Sequence, residues 1–578
     1  MAASLSAAAG GTAVSLWVKA EPFSYGTIPV APHPRLNSTN IKKIVIYSKN
    51  KGRAGFPNLS YSVWQHIACN KLHLSEDLAW MYFHTCKFFT ENPSPIESIE
   101  RDELTSTRKD QPDKARCQES VNLYKFVIYL SMQQLYRMSL RTSLVAGDEW
   151  PSASSSNSTC DLDGRCTPRG GTTKSLDDHS HLLFVQNNIG ELVDLLAEED
   201  SKMSGVGVAS QQTSSLSLEA VEALSFILVG RLESSQALIP FQDLACLQTV
   251  QHRSGFNKAA KTFSSRQFTL WVKDSLVQNP FNVSACIASG TRLSWPFLGE
   301  DHKAEQSHKR GKIATNAHLV PKEHVKGNKM IIMSQVSKQT IARSSGTLEM
   351  STVKIHRSHH SFLYLLSPLR SVTIEKCRNT TLILGPVEAT VHVSGCENVT
   401  VIAPCRHFMI SGSTLCNMYL LTPHRPLLLS GNDTIMLAPY HTFYASLEEH
   451  MTRAGIGVVP NLWDQPLCIG PDHRDDQPVW QILPETEFYT FSVPFEIQGS
   501  TKSLPCSLPS RYQKELNKRQ KQIDTWQHMV KDAGLTRDQR KEFQALVESR
   551  FHIWLAETGH KQELDSLVVP LQSTLEKR

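Results

Sequence analysis

Three histidines stand close together in VKIHRSHHSF, at His356, His359 and His360. Clustered imidazoles raise metal ligation first, but a closed zinc site needs four ligands at fixed spacing, and no thiol or carboxylate companions stand there. They read as solvated corner residues. Cys160 and Cys166 in STCDLDGRCTP have a ligand-like separation, yet no second Cys/His pair at finger spacing follows, and the setting is Ser-rich linker. Gly311-Lys312 in GKIATN lacks the upstream glycine-rich loop of a phosphate cradle. No nucleophile, base and acid fall at a recognised spacing. The expectation is therefore no metal, no cofactor and no catalytic group of these kinds.

A chain of 578 residues implies two to four domains. Its 60 Lys plus Arg against 55 Asp plus Glu leave a scattered net charge of +5, which gives nucleic acid no footing as a partner. The first residues, MAASLSAAAGGTAVSLWVKAEPF, lack the basic head and apolar run of a signal peptide. No stretch reaches the roughly 18 apolar residues of a membrane helix, so a soluble intracellular protein without membrane insertion is expected. Thirteen cysteines, mostly in apolar settings, suit reduced core thiols. The Asn-x-Ser/Thr acceptors at Asn282, Asn379, Asn398 and Asn432 carry no meaning without secretion.

The elements that would position any site divide the chain as follows. Residues 1–15 read as disordered and 16–150 as a helical domain, with Leu123, Phe126, Val127, Leu130 and Leu135 near helical spacing. Residues 151–180 are too poor in apolar side chains to offset their ordering entropy and read as a flexible linker. A second helical region covers 181–300, with Ser217, Glu219 and Glu222 opening a helix through LEAVEALSFILVGR. Residues 304–450 hold a repeat, 451–509 connect, and 510–578 form a helical hairpin and tail.

In that hairpin Ser510-x-x-Gln513 and Thr536-x-x-Gln539 fit the capping-box pattern, with a bend at Gly534. Apolar stripes run through Leu516, Ile523, Trp526 and Val530, then through Phe543, Leu546, Val547, Phe551, Trp554 and Leu555. Packing against the protein's own body is the expected use of these stripes. Trp526 and Trp554 leave a partner site open, since tryptophans anchor interfaces.

The repeat aligns Val353-Lys-Ile, Val372-Thr-Ile, Val391-His-Val, Phe408-Met-Ile and Leu427-Leu-Leu at steps of 19, 19, 17 and 19 residues, each followed by a second strand about nine residues on. That period returns the chain to stack about 4.8 Å above its start, which predicts a right-handed parallel β-helix. Alternate side chains would fill the coil, and Ser394-Gly395, Ser411-Gly412 and Ser430-Gly431 would turn its corners. The fold class is α+β multidomain, a β-helix flanked by helical regions.

Val391 to Tyr440, with SGCENVTVIAPC and the closing DTIMLAPY, resembles the C-CAP/cofactor C-like domain of tubulin-binding cofactor C and of the X-linked retinitis pigmentosa protein. LWVKAEPF, SLRTSL followed by EWP, SPLRSVTIEKCRN and QELDSLV extend the resemblance to the TBCC-domain members over nearly the whole chain. In GTPase-activating members the strand after the Ala-Cys corner reads Q-x-R-x-H, and its arginine stabilises the transferring phosphate by a factor of about 10³ to 10⁵. After Ala403-Pro404-Cys405 this sequence places His407, Met409 and Ser411 at those positions. A thioether supplies neither charge nor donor. Arg406, three residues before Met409, is expected on the opposite face.

The resemblance thus implies a degenerate finger and a non-enzymatic cytoskeletal scaffold. It also implies a place at the centrosome and spindle poles, with effects on Golgi positioning, cell shape and migration. Implied partners are tubulin or an Arf-like G protein, and Arg406, Arg425, Trp526 and Trp554 are the candidate partner surface. Two alternatives stay open: GTPase activation through Arg406 or Arg425, and a tubulin-folding cofactor.

Overall fold

A V-x-I strand turns its valine and isoleucine to one side, and the chain stacks that side upon itself coil after coil. In the computed structural model Val353, Val372, Val391 and Phe408 form one interior column, and Ile355, Ile374, Val393 and Ile410 the next. All are essentially inaccessible. Burial of such a side chain stabilises by about 1.5–3 kcal/mol, so the columns are the main adhesive of the stack.

The structure describes the chain apart from residues 1–12, 29, 52–55, 92, 108–115, 118, 145–176, 199–213, 234–236, 290, 294–311, 321–326, 344–345, 471–472, 474–477 and 559–578. Cys160, Cys166, Gly311, the QELDSLV string and most of the expected linker lie outside the described residues. Two compact units emerge: 1–94, 104–291 and 315–330 in the first, and 95–103, 292–314 and 331–578 in the second.

The first unit is mainly helical, with long helices at Ser38–Lys51, Glu76–Glu91, Leu123–Leu144 and Asp177–Leu196. Leu123, Phe126, Val127 and Leu130 are fully buried, as their spacing predicts. Around them Trp64 and Phe126 meet edge to face at 4.8 Å, and the Trp64 indole N–H donates to the Ala79 carbonyl. Two local expectations fail. Val14–Val18 is a strand, paired antiparallel with Leu228–Leu232, so LWVKAEPF opens as β-structure. LEAVEALSFILVGR divides: Leu218–Leu224 is a short helix capped by the Ser217 hydroxyl, and its β-branched end joins that ribbon. A Cβ on Gly230 would sit 2.6 Å from Leu16 and 2.7 Å from the Ser15 carbonyl, so only glycine admits this pairing.

The second unit is a parallel β-solenoid of about six turns. One wall contains Thr352–His356, Ser371–Glu375, Val387–Ser394 and the end of Glu397–Ser411. The other contains Phe362–Leu365, Arg378–Leu384, the start of Glu397–Ser411, Thr414–Leu421 and Asp433–Pro439. Two corners per coil adopt left-handed backbone. Gln335, Arg357, Lys376, Gly395, Gly412 and Gly431 hold one, and Lys338, His360, Asn379, Asn398, Leu415 and Thr434 the other. Just inside the first corner the Cys377 and Cys396 thiols and the Ser413 hydroxyl donate to backbone carbonyls two residues back. The earliest strands, Met330–Ser334 and Thr340–Arg343, stand outside the five-fold repeat read from sequence, because a 22-residue step separates Ile331 from Val353.

The last coil corrects the expected alignment. Leu427 pairs with Met409 and Leu428 with Ile410, one residue out of the sequence alignment, so Leu428 takes the interior column that the alignment gave to Leu429. Gly412 N–H still donates to Ser430, which leaves one extra residue between strand and corner.

Residues 484–497 run back along the second wall, where Phe488 and Phe491 pack on Tyr419 and Phe495 on Tyr364. The hairpin Ser510–Asp532 and Arg537–Thr558 follows, turning at Gly534 with φ +56°. Thr536 and Gln539 close the expected capping box. Ser510 does not, because Pro509 holds the N-cap position and leaves no side-chain cap.

Candidate functional site

The 17-residue coil loses its two residues in two steps, one between Ile383 and Val387 and one between Val387 and Thr390. Val387 pairs with Cys405 but Thr390 pairs with His407, so Arg406 faces both Glu388 and Ala389 across a register shift. Regular alternation does not govern a side chain at a bulge. The Arg406 guanidinium turns aside into a closed pocket: Nε donates to the Glu388 carbonyl at 3.1 Å, Nη1 to Asp102 Oδ2 at 2.7 Å, and Nη2 to the Gly455 carbonyl. It is 2 % exposed.

Its partners come from three segments of the second unit. Asp102 lies in Pro95–Thr107, where residues 95–103 belong with the solenoid. Gly455 ends the helix Leu447–Ala454 at φ +66°, and a Cβ there would lie 2.9 Å from the Pro95 Cα. Glycine thus permits the approach. Beside this pair Arg370 and Glu388 make a second buried ion pair at 2.8 Å. Two guanidinium charges and two carboxylates cancel in a water-poor pocket, which is how buried charge is tolerated. Burial pushes the Asp102 carboxyl above its ordinary range, and the Arg406 charge opposes that rise.

Arg406 is accordingly not part of a partner surface, which corrects that expectation. Arg425 also bonds to the chain: Nε donates to Gln465 and Nη2 to Pro466 carbonyls, both at 3.0 Å. Met409 stands between His392 and Leu427 in the first wall, outside the interior cluster and 5 % exposed. His407 stacks on His424 with ring centroids 4.6 Å apart. Burial, then the neighbouring His424 and Arg406, hold the His407 imidazole well below its ordinary pKa. The Ser411 hydroxyl donates to that of Ser394. The positions matched to Q-x-R-x-H therefore lie together on one strand, while Arg406 is committed elsewhere.

His356, His359 and His360 also differ from a uniform solvated corner, since His356 is buried while His360 is exposed.

Trp526 and Trp554 stand on the hairpin, away from these groups in sequence. Tyr512 docks its base: fully buried, it donates to the Leu483 carbonyl at 2.6 Å and meets Phe488 edge to face at 4.8 Å. Arg519 adds bonds to the carbonyls of Glu485, Thr486 and Phe488. Beyond that point the stripe packs only in part: Leu555 is buried and Val530 and Phe543 are half-buried, but the rest is open. Ile523, Trp526, Met529, Leu546, Phe551 and Trp554 are 47–58 % exposed, and Trp526 meets Phe543 of the facing helix at 6.2 Å. Exposed apolar groups in that number mark an interaction surface more often than a solvated face.

Sequence reasoning missed Asp102, Glu388, Arg370, Gly455 and Tyr512. Asp102 is 304 residues from Arg406, and no local pattern pairs them. The shortened coil was the available signal.

The family model for tubulin binding cofactor C matches residues 350–467. Over 560 residues the chain is 45 % identical to a human protein named TBCC domain-containing protein 1, covering 96 % of this chain and 98 % of that one. The chicken protein of that name is 42 % identical over 563 residues, with the same coverage of both chains. The zebrafish protein is 42 % identical over 558 residues, covering 96 % of this chain and 94 % of that one.

Proposed function

The chain belongs to the TBCC domain-containing family related to tubulin-binding cofactor C, and from that premise we propose that it is a non-enzymatic cytoskeletal scaffold. The observation that carries this reading is the fate of the guanidinium groups around the finger strand. Met409 occupies the strand position where GTPase-activating relatives of this domain are expected to carry arginine. Arg406 is bound on every side within the second unit, and Arg425 is bound to two carbonyls. A finger in trans must reach its partner's nucleotide with its charge unspent. Neither arginine meets that requirement.

What remains suits docking. The solenoid is a rigid body of stacked strands, and the hairpin presents Trp526 and Trp554 on an apolar face for a protein partner, tubulin or an Arf-like G protein. The scaffold acts at the centrosome and spindle poles and positions the centrosome and Golgi, with consequences for cell shape and migration. Imaging the tagged chain in dividing cells tests this: signal on the spindle poles, reduced for Trp526→Ala with Trp554→Ala, is the expected result. Diffuse signal through the whole cycle contradicts it.

A further inference from the structure

The second wall of the solenoid turns an apolar column outward. Tyr364, Ile383, Ile402, Tyr419 and Ala438 stand in register on successive coils, alternating along their strands with interior residues such as Leu363 and Leu382. Uncovered, a column of that length is an interaction patch, yet none of the five is more than 7 % accessible. A strap, residues 489–497, lies over it. Phe491 meets Tyr419 with ring centroids 4.9 Å apart, and Phe495 meets Tyr364 at 5.5 Å. Those two tyrosines are three coils apart, about 14 Å at about 4.8 Å per coil. The two phenylalanines are four residues apart, about 13 Å of extended chain at about 3.3 Å per residue. The strap therefore runs fully extended along the stack. Phe491, Val493, Phe495 and Ile497 are half-buried against the wall, while Ser492, Pro494, Glu496 and Gln498 face water.

We propose that this strap is a built-in stand-in for a partner, and that the column beneath it is a docking groove for an extended partner segment with apolar residues at alternate positions and aromatic rings four residues apart. The strap itself shows which chemistry fits the groove, and the way it is held shows that it can leave. Its ends are anchored: Arg519 donates to the carbonyls of Glu485, Thr486 and Phe488 on one side, and on the other the Ser446 hydroxyl donates to Gln498 and the Thr501 N–H to Ala445. Between the anchors, among the described residues, one isolated bridge joins Ser492 to Phe443. Pro494 has no N–H to add to a ladder. The middle of the strap is thus held by side chains, and a partner segment of the same pattern replaces those contacts one for one. This groove is separate from the hairpin and holds whether or not the scaffold reading does.

The test is fluorescence anisotropy of a labelled peptide with the sequence of residues 488–498, titrated with the full chain. The wild-type chain should bind it weakly, because its own tethered strap competes at an effective concentration of about millimolar. Phe491→Ser with Phe495→Ser loosens the strap and leaves the column intact, so this variant should bind the peptide at least tenfold more tightly, and Phe495→Ser alone by an intermediate factor. A peptide of the same composition, with Phe491 exchanged for Ser492 and Phe495 for Pro494, breaks the alternation and should not bind. Failure of the double variant to bind more tightly than the wild-type chain overturns the proposal. So does loss of the solenoid's thermal transition in Phe495→Ser, since the strap would then be core and not cover. Light scattering separates the remaining occupant: a wild-type dimer that dissociates in the double variant would mean that a second copy's strap fills the groove, which also overturns the proposal.

Discussion

Arg406 Nη1 lies 2.7 Å from Asp102 Oδ2, and both side chains are almost wholly removed from water although 304 residues separate them. The pair fastens residues 95–103 to the edge of the solenoid at the one coil that is two residues short. A buried pair is a weak source of net stability but a costly one to break, because the remaining charge is stranded. Arg406→Met and Asp102→Leu should each cost about 3–5 kcal/mol in chemical denaturation of the full chain, by this reasoning. The double variant should recover much of that loss, since apolar replacement of both partners is often neutral. Additive losses would show that the two residues act separately.

His407 gives the fold a pH dependence of known sign. Its folded pKa is depressed, while the unfolded side chain titrates near about 6.5. Below that value the unfolded chain binds a proton that the folded chain refuses, so stability present above about pH 6.5 is lost as pH falls, at up to about 1.4 kcal/mol per unit for one group. His450 and His359, also depressed by burial, act in the same direction. Denaturation midpoints between pH 7.5 and 5 should fall less steeply in His407→Gln than in the wild-type chain. An identical slope would mean that folding does not lower the His407 pKa.

Tyr512 seats the hairpin. Tyr512→Phe keeps the ring against Phe488 but leaves the Leu483 carbonyl without its donor, a cost of about 1 kcal/mol. Tyr512→Ala removes a buried aromatic and should cost about 3–5 kcal/mol by cavity formation. Proteolysis of the hairpin should accelerate in the second variant and barely change in the first.

The hairpin's outer face should behave oppositely. Trp526 is half exposed, so Trp526→Ala should leave stability within about 0.5 kcal/mol while weakening the protein partner's binding. A large drop in thermal midpoint would restore the sequence expectation that the stripe packs on the protein's own body.

The solenoid was legible because its constraint is periodic. Interior columns demand an apolar residue at the same place in each coil, and Val353, Val372 and Val391 record that demand directly. Where the period breaks, sequence reading fails by small amounts with large consequences. A single extra residue puts Leu428 rather than Leu429 beside Ile410, and a one-residue register shift at Glu388 and Ala389 turns Arg406 from an expected surface group into a buried one. Its partner Asp102 was out of reach of any local rule, since the contact is made only after the chain has folded over 304 positions. The hairpin's helices were readable from their stripes, but amphipathicity says only that a face is apolar. Whether the chain supplies a cover depends on tertiary packing. The strand at Val14–Val18 was missed because its partner, Leu228–Leu232, lies more than two hundred residues away.

Single-turnover GTP hydrolysis by tubulin and by Arf-like G proteins, with and without the full chain, tests the scaffold reading most directly. The expected result is binding with a hydrolysis rate unchanged from the intrinsic one, and the same rate with Arg425→Ala. An acceleration approaching about 10³-fold that disappears in Arg425→Ala would contradict it, because a charge-supplying arginine would then be present on this surface after all.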